Sequence, residues 1–452
     1  MKKDTSMTSG SITKSLIYFS IPLLIGNLFQ QLYNTVDSIV VGNFVGKEAL
    51  AAVGSTTVII NMLVGFFMGL STGASVVISQ YFGAKDNDKL HDAVHTSIMM
   101  TIIIGVIMTI VGLVASPLFL QFMKTPDDVL PQSTLYLKIY FLGIMGLMLY
   151  NMGSAILRAI GDSTRPLYFL IFSSVVNTIL DLVFVIVFKL GVAGVALATI
   201  TAQALSAILV LYLLVKSKEA YRLILKDIKL HKSLFTKMLQ IGLPAGLQQS
   251  ITAFSNIFVQ GYVNVFGSSV MAGWSSYVKI DQFVLLPVQS IALASTTFVG
   301  QNLGAKQIDR AKKGVSTSLR LSVGVTIILS ILLNVVGVNL LGVFSHEADV
   351  IAAGKIFLRI FSPFYFVICF NQIYAGAMRG AGDSNAPMVI MLFSFVVFRQ
   401  ISLYIGTKFF PSVHFVAFSY PMGWMLCSIL LTIYYYSNRW MRKIDSVVGG
   451  DD

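Results

Sequence analysis

Gln80–Lys85 reads QYFGAK and Gln301–Lys306 reads QNLGAK, while RAIGDSTRP from Arg158 returns as RGAGDSNAP from Arg379. Both pairs lie 221 residues apart, and the same offset links Gly46 to Gly267, Asp88 to Asp309, Pro166 to Pro387 and Phe172-Ser173 to Phe393-Ser394. Pro22 and Pro244 keep it to within one residue. A register held over this length makes the chain a duplication, and any fold has to be built twice.

Hydrophobic residues make up 56% of the 452 and charged residues only 12%, more apolar surface than a soluble domain of this size hides. Apolar windows long enough to cross ~30 Å of hydrocarbon as helices fall at 14–41, 51–80, 93–122, 129–157, 166–190, 192–216, 235–265, 272–303, 315–344, 350–378, 387–410 and 413–437. Six lie in each half. An even number returns the second copy to the membrane in the orientation of the first. The expected fold is an all-α membrane protein of twelve transmembrane helices in two six-helix bundles, related by a pseudo-two-fold axis along the membrane normal. The expected domains are an amino-terminal lobe 1–216, a basic linker 217–234, a carboxy-terminal lobe 235–437 and a tail 438–452. Two parallel bundles facing a cleft point to transport, since channels more often use separate identical subunits.

The net charge of +12 does not indicate nucleic acid, because Lys and Arg gather in alternate loops. With the amino terminus in the cytoplasm, 23 of the 32 basic residues fall on the inner side, which is the positive-inside pattern. Both termini are therefore expected to be cytoplasmic. The linker, too charged for lipid, is expected along an anionic membrane surface. The first apolar segment is too long for a cleavable signal peptide and carries Asn27, Asn34 and Asp37.

A charge near the bilayer centre costs at least a few kcal/mol, so each one inside a span is a functional candidate. Asp37 ends a stripe of Asn27, Gln30, Gln31 and Asn34 on one face of the first span. Asp181 follows Asn177 by one helical turn in the fifth span. Two carboxyl groups in one apolar bundle resist ionising together, so a proton or another cation has to neutralise at least one. Asn177 and Thr199, in the sixth span, offer neutral oxygens for a hard-cation site or a relay. The alternative is that the acids only bond neighbouring helices.

The second half lacks this set: Ser402 stands at the position of Asp181, Phe398 at that of Asn177, and Phe258 or Val259 opposite Asp37. It carries instead Lys279, Asp281 and Arg399, with Gln248, Gln249, Thr252 and Asn256 along the seventh span. Gln30, Asn34, Gln249, Asn256, Lys279, Asp281 and Arg399 are candidate contacts for cargo in the cleft. Lys279 and Asp281, two apart, face different sides of their helix; Lys279 either pairs across helices with another acid or helps receive substrate.

The repeated motifs also have a structural reading. In RAIGDSTRP, Gly161 stops one helix, Asp162 or Ser163 caps the next, and Pro166 fits its first turn. Gly83 and Gly304 lack the context of a phosphate loop. His91 and His95, four apart, are expected on a solvated face, and no metal site is predicted. Cys369 and Cys427 lie inside spans and imply no redox role.

Together QQLYNTVDSIVVGNFVGKEALAAVG, QYFGAK, LRAIGDSTRP, FVGQNLGAK and MRGAGDSNAP resemble the multidrug and toxic compound extrusion (MATE) family over essentially the whole chain. The resemblance implies two lobes around a cleft and export of organic, often cationic, compounds in exchange for H+ or Na+. It further implies a bacterial inner-membrane location and no cofactor; a monomer is expected. The DNA-damage-inducible branch places its cluster in the amino lobe. Its first-helix acid matches Asp37, fifteen residues after a helix-bending proline matching Pro22. Its Asn-x3-Asp matches Asn177 and Asp181, its sixth-helix Thr matches Thr199 and its fourth-helix Tyr matches Tyr136. The acids that a sodium-driven branch places in the seventh and tenth helices are missing here. The closest rival is a flippase for a lipid-linked saccharide or lipid, which twelve spans and few cleft charges disfavour. A membrane receptor or scaffold without transport is a second, and an enzyme is not expected.

Overall fold

The computed structural model describes residues 6–123 and 125–443. In the first half, α1 (Ile12–Val40) runs into a π-helical turn at Val41–Val45, followed by α2 (Lys47–Ala84), α3 (Asn87–Phe122) and α4 (Leu130–Ala159). Then come α5 (Thr164–Leu182), which runs into a π-helical turn at Val183–Val187, and α6 (Gly191–Lys216). The second half begins with α7 (Lys232–Asn264), α8 (Ser268–Gly304) and α9 (Ile308–Phe344). Its tenth span is α10 (Ala348–Phe361) and α11 (Tyr365–Gly380), joined by a tight turn at Ser362–Phe364. Its eleventh is α12 (Asn385–Leu392) and α13 (Arg399–Phe409), joined by a π-helical turn at Phe393–Phe398, and α14 (Val413–Tyr436) is the twelfth. All twelve predicted spans are helical. Eleven are apolar and long enough to cross a membrane; α7, interrupted by Gln248, Gln249, Thr252 and Asn256, is the least apolar.

Several helices outrun their apolar windows, because polar residues continue the helix beyond the length hydrocarbon requires. QYFGAK and QNLGAK are helix ends, with Lys85 at φ 57° and Lys306 at φ 58°, both left-handed. Asp86 then accepts from the Lys89 N–H at 3.0 Å and starts α3. Gly161 and Gly382 repeat the device at φ 90° and 93°, a conformation glycine adopts without side-chain strain. Asp162 Oδ1 accepts from the N–H groups of Thr164 and Arg165 at 3.0 and 3.1 Å, so its side chain, one residue before the N-cap position Ser163, satisfies the first turn of α5. The repeat is thus kept in backbone conformation as well as in letters.

The chain forms two compact units, one of residues 1–6 and 22–242, the other of residues 7–21 and 243–452. The division cuts α1 just before Pro22 and α7 two residues before Pro244. Both prolines interrupt a helix's hydrogen-bond ladder, having no N–H to give.

In the first unit α4 packs closely on α6. A Cβ added at Gly143 would lie 2.2 Å from Ile200, and one at Gly153 would lie 2.7 Å from Val210. Small residues on one face let two apolar helices approach where lipid supplies no hydrophobic drive. In the second unit Gly273 meets Gly354, a Cβ at Gly273 falling 2.7 Å from the Gly354 N.

The segment between α6 and α7 corrects one expectation. It is docked on its own unit: Leu223 is buried, and Ile224 and His231 bond to the start of α3. His95, expected on a solvated face, is fully buried beneath it.

Candidate functional site

In the first unit α1, α4, α5 and α6 bring Asp37, Tyr136, Asn177, Asp181 and Thr199 together. Asp181 is fully buried, Asn177 is 1% exposed and Thr199 4%. The Asn177 Nδ2 lies 3.0 Å from Asp37 Oδ1 and 3.2 Å from Asp181 Oδ2, giving one N–H to each acid, while its carbonyl oxygen accepts from the Thr199 backbone N–H at 3.2 Å. The two carboxyl groups lie against one another. Among the described residues no basic side chain forms an ion pair with either. This is a pair of acids around one amide, two positive charges short of neutrality when both are ionised.

The aromatic wall is specific. Tyr33, one helical turn before Asp37, hydrogen-bonds to Asp37 and to the Thr199 side chain. Tyr136 is buried, lies in the field of both acids and stacks on Tyr140 with ring centroids 6.5 Å apart. The Thr199 hydroxyl donates to Val195 O at 3.0 Å. Backbone geometry marks the same place, since the π-helical turns at Val41–Val45 and Val183–Val187 begin four residues after Asp37 and two after Asp181. Such turns break the regular ladder and are frequent at functional sites.

The second unit holds another polar group. Tyr277 and Tyr365 both donate to Asp281 Oδ1, Tyr277 at 3.2 Å, and their hydroxyls touch each other. Trp274, Phe357, Phe361 and Tyr420 surround them. Arg399, which begins α13 directly after the third π-helical turn, is 4% exposed. Its Nη2 donates to Asn256 Oδ1 at 2.8 Å and Ser255 Oγ at 3.3 Å, and its guanidinium lies over the Tyr420 ring at 4.7 Å. Lys279 is exposed, with its Nζ 5.2 Å from the Phe344 ring centroid and no acid in an ion pair with it among the described residues. Gln248 accepts from Arg379 Nη2 at 2.9 Å. Gln30 and Gln249 are exposed; the side chain of Asn34 lies outside the described residues.

The MatE family model matches the chain twice, over residues 22–183 and 244–405. The chain belongs to the MatE family. Within it the chain is 30% identical over 443 residues to the probable multidrug resistance protein YpnP of Bacillus subtilis (strain 168), covering 97% of this chain and 98% of that one. It is 22% identical over 436 residues to the multidrug export protein MepA of Staphylococcus aureus (strain MSSA476), covering 96% of each. A crystal structure of a MATE protein in complex with MaL6 superposes with a TM-score of 0.90 at 22% identity, over 99% of both chains. The outward-facing conformation of a multidrug resistance MATE transporter does so with the same TM-score and identity over the full length of both.

For this MatE chain, the five residues expected to couple cations are brought into one cluster. Of the seven expected to contact cargo, Asn256 and Arg399 meet each other and Asp281 meets two tyrosines. Sequence reasoning missed Tyr33, Tyr277 and Tyr365. Tyr33 and Tyr277 carried a signal, each standing four residues before an acid on the same helix face; Tyr365 arrives from another span and carried none.

Proposed function

We propose that this MatE-family chain is a secondary antiporter that exports organic, often cationic, compounds in exchange for protons, by alternating access between two lobes. The amide of Asn177, shared between Asp37 and Asp181, carries the reading. Two acids that share a neutral donor, with no base paired to either among the described residues, require a cation, and a proton passing between adjacent carboxyl groups meets that need in the least volume. A sodium ion would want oxygens turned toward it. The Asn177 carbonyl is instead held by the Thr199 N–H, and the Thr199 hydroxyl is engaged by hydrogen bonds with Val195 O and Tyr33. Binding and release of the proton would bias the helices bearing these groups between two packings, which is how an ion gradient drives an exporter.

The multidrug names of the Bacillus and Staphylococcus relatives support organic compounds as cargo. The amino-lobe cluster fits the DNA-damage-inducible pattern of the family. The charge pattern supports a bacterial inner-membrane protein with both termini in the cytoplasm.

The test uses purified protein in liposomes, with a pH gradient and a sodium gradient imposed separately while the flux of a fluorescent organic cation is followed. Flux with the pH gradient alone is expected. Flux driven only by sodium overturns the proton assignment, and flux with neither overturns the antiporter.

A further inference from the structure

Three of the five histidines in the chain, His91, His95 and His231, meet where the segment between α6 and α7 crosses the start of α3. The His95 Nδ1 lies 2.7 Å from His91 O, and the Ile224 N–H points at His95 Nε2 from 3.0 Å. A carbonyl only accepts, so Nδ1 carries the hydrogen; a backbone N–H only donates, so Nε2 is bare. Both bonds therefore exist together only in the neutral imidazole. A proton on Nε2 would set N–H against N–H and bury a charge with its acceptor gone.

The ionisable groups around His95 are His91 and Asp92 on its own helix and Asp227 and His231 on the crossing segment. His91 pairs with Asp227 and His231 with Asp92, each at 3.6 Å. These pairs gain on protonation and so oppose release. They are 29–49% exposed, where water and salt screen them, whereas the His95 side chain is fully buried and its bond to Ile224 is part-buried. The His91 and His95 ring centroids are 4.0 Å apart, so a second positive charge there also repels the first. The donor atoms of His91, His95 and Asp227 lie within 4.8 Å of one another, but a metal reading fails because Nε2 of His95 is already engaged.

The duplication supplies a comparison. Displaced by 221 residues, the segment 228–231 corresponds to 7–10, which is strapped in the second unit in a different way. The Met7 N–H donates to Gln301 Oε1 at 2.8 Å, and Asn302 Nδ2 donates to Met7 O at 3.2 Å. Arg310 donates to Ser9 O at 2.8 Å and Gly10 O at 2.9 Å. None of these holders changes charge near neutrality. Ser316 stands where the first half has His95. One strap is thus held at any physiological pH, while the other is held by the His95 imidazole at Ile224 together with a His231 N–H to Thr96 Oγ1 bond of 3.3 Å.

We propose that the segment joining the halves is a proton-operated latch, docked on α3 by neutral His95 and released when His95 takes a proton at Nε2. It is a regulatory proton site separate from Asp37 and Asp181, sensing the aqueous phase that bathes the segment. Docking is present while His95 is neutral and is lost as the pH falls through the range in which it protonates.

The test is hydrogen exchange of the full-length protein in detergent at pH 7.5 and 5.5, corrected for intrinsic rates. Peptides covering 217–231 are expected to lose at least about ten-fold in protection at pH 5.5, while those covering 6–11 hold theirs. His95→Gln, whose carbonyl can accept from Ile224 and takes up no proton, is expected to give the same protection of 217–231 at both pH values. Three results overturn the proposal: no loss in the wild type, equal loss in both straps, or an unchanged acid response in His95→Gln. Should that variant not fold, the two straps of the wild type decide the matter by themselves.

Discussion

The Thr199 backbone N–H, 3.2 Å from the carbonyl oxygen of Asn177, turns the amide of Asn177 so that its nitrogen faces Asp37 and Asp181. A main-chain donor thereby fixes the polarity of a side chain that both acids share. Which part of Thr199 matters then becomes an experimental question.

Thr199→Val keeps the backbone N–H and the shape but removes the hydroxyl that meets Tyr33. Gradient-driven flux in liposomes is expected to fall only two- to five-fold, about 0.4–1 kcal/mol of barrier. Asn177→Leu, which leaves the two acids without their shared donor, is expected to reduce it more than ten-fold. Equal effects would show that the hydroxyl, not the amide orientation, is what the site uses.

Asp37→Asn and Asp181→Asn each remove an ionisable member of the pair without changing its size. Each is expected to abolish flux driven by the pH gradient while membrane expression and gel-filtration behaviour stay as in the wild type. Full activity in both variants removes the site assignment.

Asp281→Asn preserves an acceptor for Tyr277 and Tyr365. With coupling assigned to the first unit, proton-driven flux should remain within about two-fold of the wild type, a change of ~0.4 kcal/mol or less. A loss as deep as that of Asp37→Asn would move the coupling site to the second unit.

Arg399→Lys retains the charge but not the planar fork that spans Asn256, Ser255 and the face of Tyr420. A loss of roughly 1–3 kcal/mol is expected, read as a lower midpoint of thermal unfolding in detergent. An unchanged midpoint together with an altered range of transported compounds would assign Arg399 to cargo.

Gly112→Ala sets a methyl where a Cβ would lie 2.0 Å from the Phe141 ring, and overpacking of this kind costs about 1–3 kcal/mol. Gly324→Ala, with open space around its Cβ, should gain up to about 1 kcal/mol from helix propensity. The midpoints of the two variants are expected to move in opposite directions, and a shared direction would refute the packing argument.

Much of the fold was legible because the duplication and the apolar windows are properties of letters alone. Twelve spans follow from length and composition, and the helix stops at Gly161 and Gly382 follow from a residue that tolerates positive φ. Asp37, Asn177 and Asp181 could be singled out because ionisable and amide groups inside a span have no cheap bland role. Tyr136 came from family resemblance. Tyr365 was invisible because tyrosine is ordinary in an apolar helix and only tertiary packing brings it to Asp281. The three π-helical turns beside Asp37, Asp181 and Arg399, VGNFV, VFVIV and FSFVVF, share no residue pattern that marks them in the letters. The docking of the joining segment on α3 could not be read from the sequence, because its many lysines hide buried Leu223 and the bonding comes from the backbone N–H groups of Ile224 and His231.

The first unit includes residues up to Gly242 and the second includes residues 7–21, so neither is encoded by one half alone. During synthesis the first unit is incomplete until the opening turns of α7 have left the ribosome. A polypeptide cut between α6 and α7 would yield two fragments that each lack a piece held by the other.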